Sequence, residues 1–188
     1  MSEIFRCFGS TPLYADYHDN EWGRPLHNDN KLFEFLILEG AQAGLSWETV
    51  LKKREAYREA FDGFDPNKVA LYDEKKIEEL MNNSGIIRNR LKINSAIINA
   101  KLFLDIQKQH GSFDKFIWAY VDNTPINSRI EKPEDWQATT PISDKISKDL
   151  KKMGFKFVGS TIIYTFMQAT GMVNDHLTKC FVYKELVN

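Results

Sequence analysis

Cysteine is scarce in this chain. Cys7 and Cys180 are the only two, too few for a disulfide framework. No apolar run approaches the length of a bilayer span, and Met1-Ser2-Glu3-Ile4 lacks the basic-then-apolar pattern of a leader. These absences point to a cytoplasmic protein with no membrane partner. An excess of one charge is missing too: a formal net charge of −1 over 188 residues provides no global field for a polyanion. Strand-like alternation, internal repeats and low-complexity tracts are also absent. What is there, 43% apolar residues in a chain long enough to bury a sizeable core, fits one unit or two small helical lobes. The expected fold class is all-α.

Helix signals recur along the chain. Asn28-Asp29-Asn30 opens a segment, Lys31 to Leu38, that is apolar on nearly every side and therefore central. Ser46 can cap a helix from Trp47 to about Phe61, Asp65-Pro66 is an N-cap followed by proline, and Asp73 starts a helix to about Met81. Ile86 to about Gln109 is long and periodic, and Phe113–Tyr120 gives a short helix. Val121–Ile142, polar and holding Pro125, Pro133 and Pro141, reads as the longest loop before a last pair, Asp144–Met153 and Ser160–Thr170.

Chemistry concentrates at the two ends. Cys7 and His18 lie near one terminus, His176 and Cys180 near the other. Thiolate and imidazole are the ligands tetrahedral zinc prefers, and two of each would close a structural site. The spacing of four between His176 and Cys180 predicts one face of a helix end. Spacing alone leaves the metal open, since Cys7 to His18 is not a zinc-finger interval. Glu39 ends the apolar helix before Gly40, so its carboxylate either emerges into a cavity or simply meets water. Tyr14 and Tyr17 share a helix face with His18, and Trp22 and Trp47 add aromatic surface; aromatics at such spacing are also common core. Between the last two helices, Gly154-Phe155-Lys156-Phe157-Val158-Gly159 offers glycine at both ends, expected to take positive φ, and amides at a helix start, which suit a phosphate. Five lysines stand against one aspartate from Lys145 to Lys156; Arg88, Arg90 and Lys92 form a second basic cluster, and Lys52, Lys53 and Arg54 a third. Any one of these could be a solvated face. His27 and His110 have no partners at ligand spacing.

Taken together these stretches resemble the bacterial 3-methyladenine DNA glycosylase I family, within the helix-hairpin-helix glycosylase superfamily. The likeness is carried by Pro12-Leu13-Tyr14 through Trp22-Gly23, Leu38-Glu39-Gly40 through Leu45-Ser46-Trp47, Leu51 to Glu55, Gly85 to Arg88, Phe155 to Gly159, Phe166 to Ala169 and Val173 to His176, and it spans nearly the whole chain. The resemblance implies a helix-hairpin-helix fold in which zinc, held by Cys7, His18, His176 and Cys180, ties the terminal segments together. Central helices over about 31–110 would form the rest of a single unit, with a base pocket between. That pocket would hold Glu39 as catalytic residue, with Tyr17 and Trp47, and Tyr14 and Trp22 nearby. Gln42, Gly44 and Leu45 would contact DNA and fill the vacated stack, while Gly154, Lys156 and Gly159 hold the backbone. The implied substrate is double-stranded alkylated DNA, acted on by a monomer that flips the base and leaves an abasic site without strand cleavage. Against the family pattern the Cys7–Pro12 segment is short and lacks a tryptophan two residues after the cysteine, with Phe8 the nearest replacement. Asp175, beside His176, is implied to have no catalytic role.

Two other classes compete. A non-catalytic damage binder would need no intact pocket, and the pocket residues are present. A zinc hydrolase would need an open metal position, which four protein ligands remove.

Overall fold

The computed structural model describes residues 4–187; Met1–Glu3, read above for a leader, and Asn188 lie outside them. Eleven α-helices are described, with two strands of two residues each, and no described helix is long and apolar enough to cross a membrane. Helix α1 (Pro12–Asn20) begins at Thr11, whose side chain accepts from Tyr14 N, with proline at the first helical position. Helix α2 (Asp29–Gln42) is capped by Asn28 and buries every residue from Leu32 to Ala41. It can do so because α3 (Trp47–Lys52), α7 (Arg90–His110), α8 (Phe113–Trp118) and α10 (Ser160–Ala169) pack round it. Leu32, Phe33, Leu36 and Leu38 are at most 2% exposed; each stabilises the fold by roughly 1.5–3 kcal/mol relative to leaving it in water.

The helix expected from Trp47 to Phe61 is two, α3 and α4 (Arg54–Ala60), broken at Lys53. The break lets Lys53 Nζ bond Ser84 O at 2.9 Å. Helices α5 (Pro66–Val69) and α6 (Glu74–Asn82) start at the aspartate caps read from the sequence. Helix α7 begins later than expected, at Arg90, capped by Asn89, whose side chain accepts from Lys92 N. Helix α9 (Pro141–Met153) begins earlier, because Thr140 and Ser143 form a capping box around Pro141. The polar Val121–Ile142 segment is not all loop: β1 (Ile126–Asn127) pairs in parallel with β2 (Val173–Asn174). Residues 176–180 form a turn, not the helix end expected, and the helix α11 (Phe181–Val187) follows.

Candidate functional site

The two termini meet at a buried cluster. One ligand atom from each of Cys7, His18, His176 and Cys180 lies within 4.8 Å of the others. Each imidazole is oriented from behind. His18 Nδ1 faces Asp19 Oδ1 at 2.8 Å, and Asp19 is itself gripped by Arg6 at 2.7–2.9 Å. His176 Nε2 lies 2.9 Å from the carbonyl oxygen of Trp22. That leaves His18 Nε2 and His176 Nδ1 turned to the two sulfurs at 3.5–3.6 Å. Carboxylate or carbonyl partners of this kind are what set the tautomer of a ligating histidine. Gly23 makes the approach of His176 feasible: its φ is +76°, and a Cβ there would stand 2.8 Å from His176 Nε2. The thiols act as a pair, the hydrogen bond between them pushing Cys7 up and Cys180 down. Two soft and two borderline donors converging at this distance could hold a metal ion with no position left open.

Beside the cluster, α1, α2, α3 and α10 border a cavity of about 310 Å³, its walls including Tyr14, Tyr17, Trp22, Glu39, Gln42 and Trp47. Tyr17 and Trp47 stand 5.4 Å apart between ring centroids, and Phe35 stacks behind Trp47 at 6.2 Å. Phe8 joins the wall, 4.6 Å from Tyr14 and 4.9 Å from Trp22, so the short Cys7–Pro12 segment delivers both a sulfur and an aromatic ring.

Two polar atoms in this wall are buried without a protein partner, Glu39 Oε2 and Trp47 Nε1. An orphaned buried donor or acceptor costs about 1–3 kcal/mol, and both would be relieved by a polar ligand in the cavity. Burial pushes the Glu39 carboxyl from its ordinary 4.5 up to about 8, opposed in part by the nearby Thr165 hydroxyl, whose own hydrogen bond goes to Ile162 O at 2.8 Å. At neutral pH the group is therefore largely protonated and carries both a donor and an acceptor. Burial also raises Tyr17, with the Glu39 charge adding to it, and raises Tyr14.

A groove of about 170 Å³ adjoins the cavity, shared by Glu39, Gln42, Gly44, Leu45, Thr161 and Thr165. It lies between the turn after α2 and the start of α10. Leu45 is 42% exposed at that turn, and Gly44 takes φ +81°. Lys92 Nζ fixes the turn by donating to Ala41 O and Ala43 O, both at 2.8 Å.

The segment joining α9 to α10 is clamped by Asn99, which donates to Lys156 O at 2.9 Å and accepts from Lys156 N at 2.8 Å. Gly154 caps α9 at φ +104°. Gly159 does not need positive φ: it sits at −61°, and Phe157 takes the left-handed conformation instead. The fold itself does not require glycine at 159, since a Cβ there would meet nothing within 4 Å, and among the described residues no side chain caps the amides that open α10. The lysines from Lys145 to Lys156 are all exposed. The other two basic clusters are largely spent internally: Arg54 pairs with Glu21 and Glu34, Arg90 with Glu74 and Glu78, and Lys53 and Lys92 bond carbonyls. His27 finds a partner unseen in the sequence, Asp114 Oδ1 at 2.8 Å.

Sequence reasoning missed four wall residues of the cavity, Trp136, Gln137, Thr165 and Gln168. An isolated tryptophan in a proline-rich polar stretch was a signal for Trp136, and Gln168 lay within the Phe166–Ala169 stretch that carries the resemblance without being assigned a role; nothing local marked Gln137 or Thr165.

The chain is a mostly helical protein that draws its ends together at a two-cysteine, two-histidine cluster and opens an aromatic cavity beside a groove at the start of α10, a shape that suits a flat, polar ring. Residues 7–183 match the model of the methyladenine glycosylase family, and the chain belongs to that family. It is 51% identical to DNA-3-methyladenine glycosylase 1 of Escherichia coli over 172 residues, covering 92% of each chain. It is 48% identical to DNA-3-methyladenine glycosylase of Haemophilus influenzae, covering 93% of this chain and 96% of that one. A solved structure of a tyrosine-to-phenylalanine variant of 3-methyladenine DNA glycosylase I in complex with 3-methyladenine superposes with a TM-score of 0.90 at 40% identity, covering 92% of this chain and 93% of the other.

Proposed function

We propose that this chain is a monofunctional DNA glycosylase that excises 3-methyladenine from alkylated double-stranded DNA. The observation that carries this reading is the cavity in which Glu39 Oε2 and Trp47 Nε1 are buried without partners between aromatic rings. A neutral Glu39 carboxyl donates and accepts at once, which matches the ring nitrogen and exocyclic amine along one edge of adenine. Tyr17 and Trp47 hold the ring face, and Tyr14 and Trp22 complete the wall. Membership of the family, and relatives named for this activity, support the same substrate.

Methylation at N3 leaves the base positively charged within the nucleotide. When the N9–C1′ bond breaks, its electron pair neutralises the departing base, so no proton need be supplied to it. Water adds to C1′ and loses a proton to solvent, leaving an abasic sugar. The enzyme's contribution is to bind the extruded base and to exclude bases of the wrong shape; a cation–π term against Trp47 or Tyr17 adds roughly 0.5–2 kcal/mol. No lysine is assigned to attack C1′, so the strand stays intact.

Extrusion assigns the remaining parts. Leu45 would wedge into the vacated stack with Gln42, Gly44 permitting the tight turn. Gly154, Lys156 and Gly159 would act as a helix-hairpin-helix clamp, with the free amides of α10 meeting phosphate. Cys7, His18, His176 and Cys180 would hold a structural Zn²⁺, whose chemistry is to join the termini. The whole chain would act as one unit, as a monomer; a chromosomal substrate would place it in the cytoplasm.

Methylated duplex DNA tests this reading, with released bases identified by chromatography. Free 3-methyladenine, and strands that break only on alkaline treatment, are the expected products. Absence of any released base from folded, metal-loaded protein would leave a damage-binding function instead.

A further inference from the structure

Asp175 is a buried acid that the proposed chemistry does not use. It is 1% exposed, and no cationic side chain among the described residues pairs with it. Its Oδ2 accepts from Tyr164 Oη at 2.6 Å and from Gln168 Nε2 at 2.8 Å, while Oδ1 is buried without a partner. A carboxylate in such a place is costly unless its few hydrogen bonds serve a purpose.

The consequence falls on Gln168. A glutamine amide fits most sites in either of two orientations, nitrogen and oxygen exchanged. Facing an acceptor, it must turn its NH₂ inward and its carbonyl oxygen away. Gln168 lines the cavity together with Thr165, one helical turn earlier on α10, and Glu39. The carbonyl that Asp175 turns away from itself is thus set as an acceptor on the cavity side. Asp175 is anchored to the same wall, because its own carbonyl oxygen accepts from Trp136 Nε1 at 2.9 Å.

We propose that Gln168 is a specificity-determining acceptor of the cavity and Asp175 its positioning residue, together favouring purines that present an amine at this edge over purines that present a carbonyl. This rests on reading the cavity as a base site. An adenine-type base has a second amine hydrogen to donate beyond the one reaching Glu39; a guanine-type base in the same pose brings oxygen against oxygen, and a site built around a hydrogen bond rejects a mismatched edge more strongly than an apolar wall does.

The test is the affinity of the free bases 3-methyladenine and 3-methylguanine, read by quenching of pocket tryptophan fluorescence, with release from methylated DNA measured alongside. Gln168→Met keeps the bulk and removes the acceptor; it should weaken 3-methyladenine binding by about ten-fold while leaving 3-methylguanine unchanged or tighter. Asp175→Asn offers the amide both a donor and an acceptor, so Gln168 can turn over and the preference should fall by a similar factor. Because Asp175 adjoins His176, metal content and circular dichroism accompany each variant. Should Asp175→Asn fail to fold, Tyr164→Phe, which loosens the carboxylate without touching the cavity, should lower the preference in the same direction. Folded variants that keep the wild-type preference overturn the inference while the base site stands. Wild-type protein that binds neither base and releases none overturns the base site and this inference with it.

Discussion

Two glutamates on α2 show how environment assigns a role. Glu34 and Glu39 are both at most 5% exposed. Glu34 accepts from Arg54 at 2.5 Å and from Arg58 at 2.9 Å, so its charge is balanced within the fold. Among the described residues no cation pairs with Glu39, and burial pushes its carboxyl up from 4.5 to about 8. The folded state therefore keeps a proton that the unfolded chain gives up between pH 4.5 and 8. By linkage the folded state is favoured most below pH 4.5 and loses stability as pH rises to about 8, by on the order of a few kcal/mol in total. Glu39→Gln removes that slope: its unfolding free energy should stay flat where the wild type falls, so it should melt higher than the wild type at pH 9. Melting curves from pH 4 to 9 measure this, and parallel profiles would return Glu39 to the ordinary range. Base release gives the complementary readout. Glu39→Ala should lower kcat/KM for 3-methyladenine by roughly 10²-fold through loss of the buried hydrogen bonds that the neutral carboxyl makes to the base. Near-wild-type excision by both variants would remove Glu39 from the mechanism.

Helix ends do most of the positioning at the next scale. Helix α2 carries Glu39 into the cavity wall and ends at the turn bearing Leu45, and the ammonium of Lys92 on α7 bonds the carbonyls of Ala41 and Ala43 there. A cation at a helix C-terminus satisfies orphaned carbonyls and opposes the negative end of the helix dipole. Lys92→Met should free the turn while leaving the cavity intact. The expected result is a drop of about ten-fold in base release from duplex DNA with unchanged affinity for free 3-methyladenine; equal loss in both would mean that Lys92 supports the cavity as a whole. The side chains that act locally were readable in sequence: Asn28, Ser46, Asp65 and Asp73 cap the helices they were expected to cap. Glu39 was readable too, as a charge at the end of an apolar run. What sequence could not reveal depends on partners distant along the chain. Lys53, at the break between α3 and α4, bonds Ser84 O, β1 pairs with β2, and the cavity wall brings Glu39 on α2 together with Thr165 and Gln168 on α10. The basic clusters looked alike in sequence, yet the Lys145–Lys156 lysines are all exposed while Arg54, Arg90, Lys53 and Lys92 are engaged by partners within the fold.

At the scale of the whole molecule, the terminal cluster and the cavity are mechanically one object. Cys7 precedes Phe8 in the cavity wall, His18 follows Tyr17, and His176 Nε2 holds the carbonyl oxygen of Trp22 at 2.9 Å. Three of the four cluster residues are thus joined directly to aromatic residues of the pocket. A metal at the cluster would fix the first turn of chain and α1 against the β2–α11 segment, and so set the pocket's width from outside. Cys180 is the ligand farthest from this coupling, which makes Cys180→Ser the cleanest probe. The proposed zinc should fall from one equivalent per chain to well below that in mass spectrometry under native conditions. The melting temperature should drop by roughly 10 °C, since a structural zinc contributes several kcal/mol and each kcal/mol moves a chain of this size by about 2–4 °C. Base release at 20 °C, where the variant is still folded, should weaken mainly through KM, because the pocket widens while Glu39 and Trp47 remain. A variant with wild-type melting and abolished release would point the other way, to a metal that takes part in the chemistry, and the zinc hydrolase reading would have to be reopened.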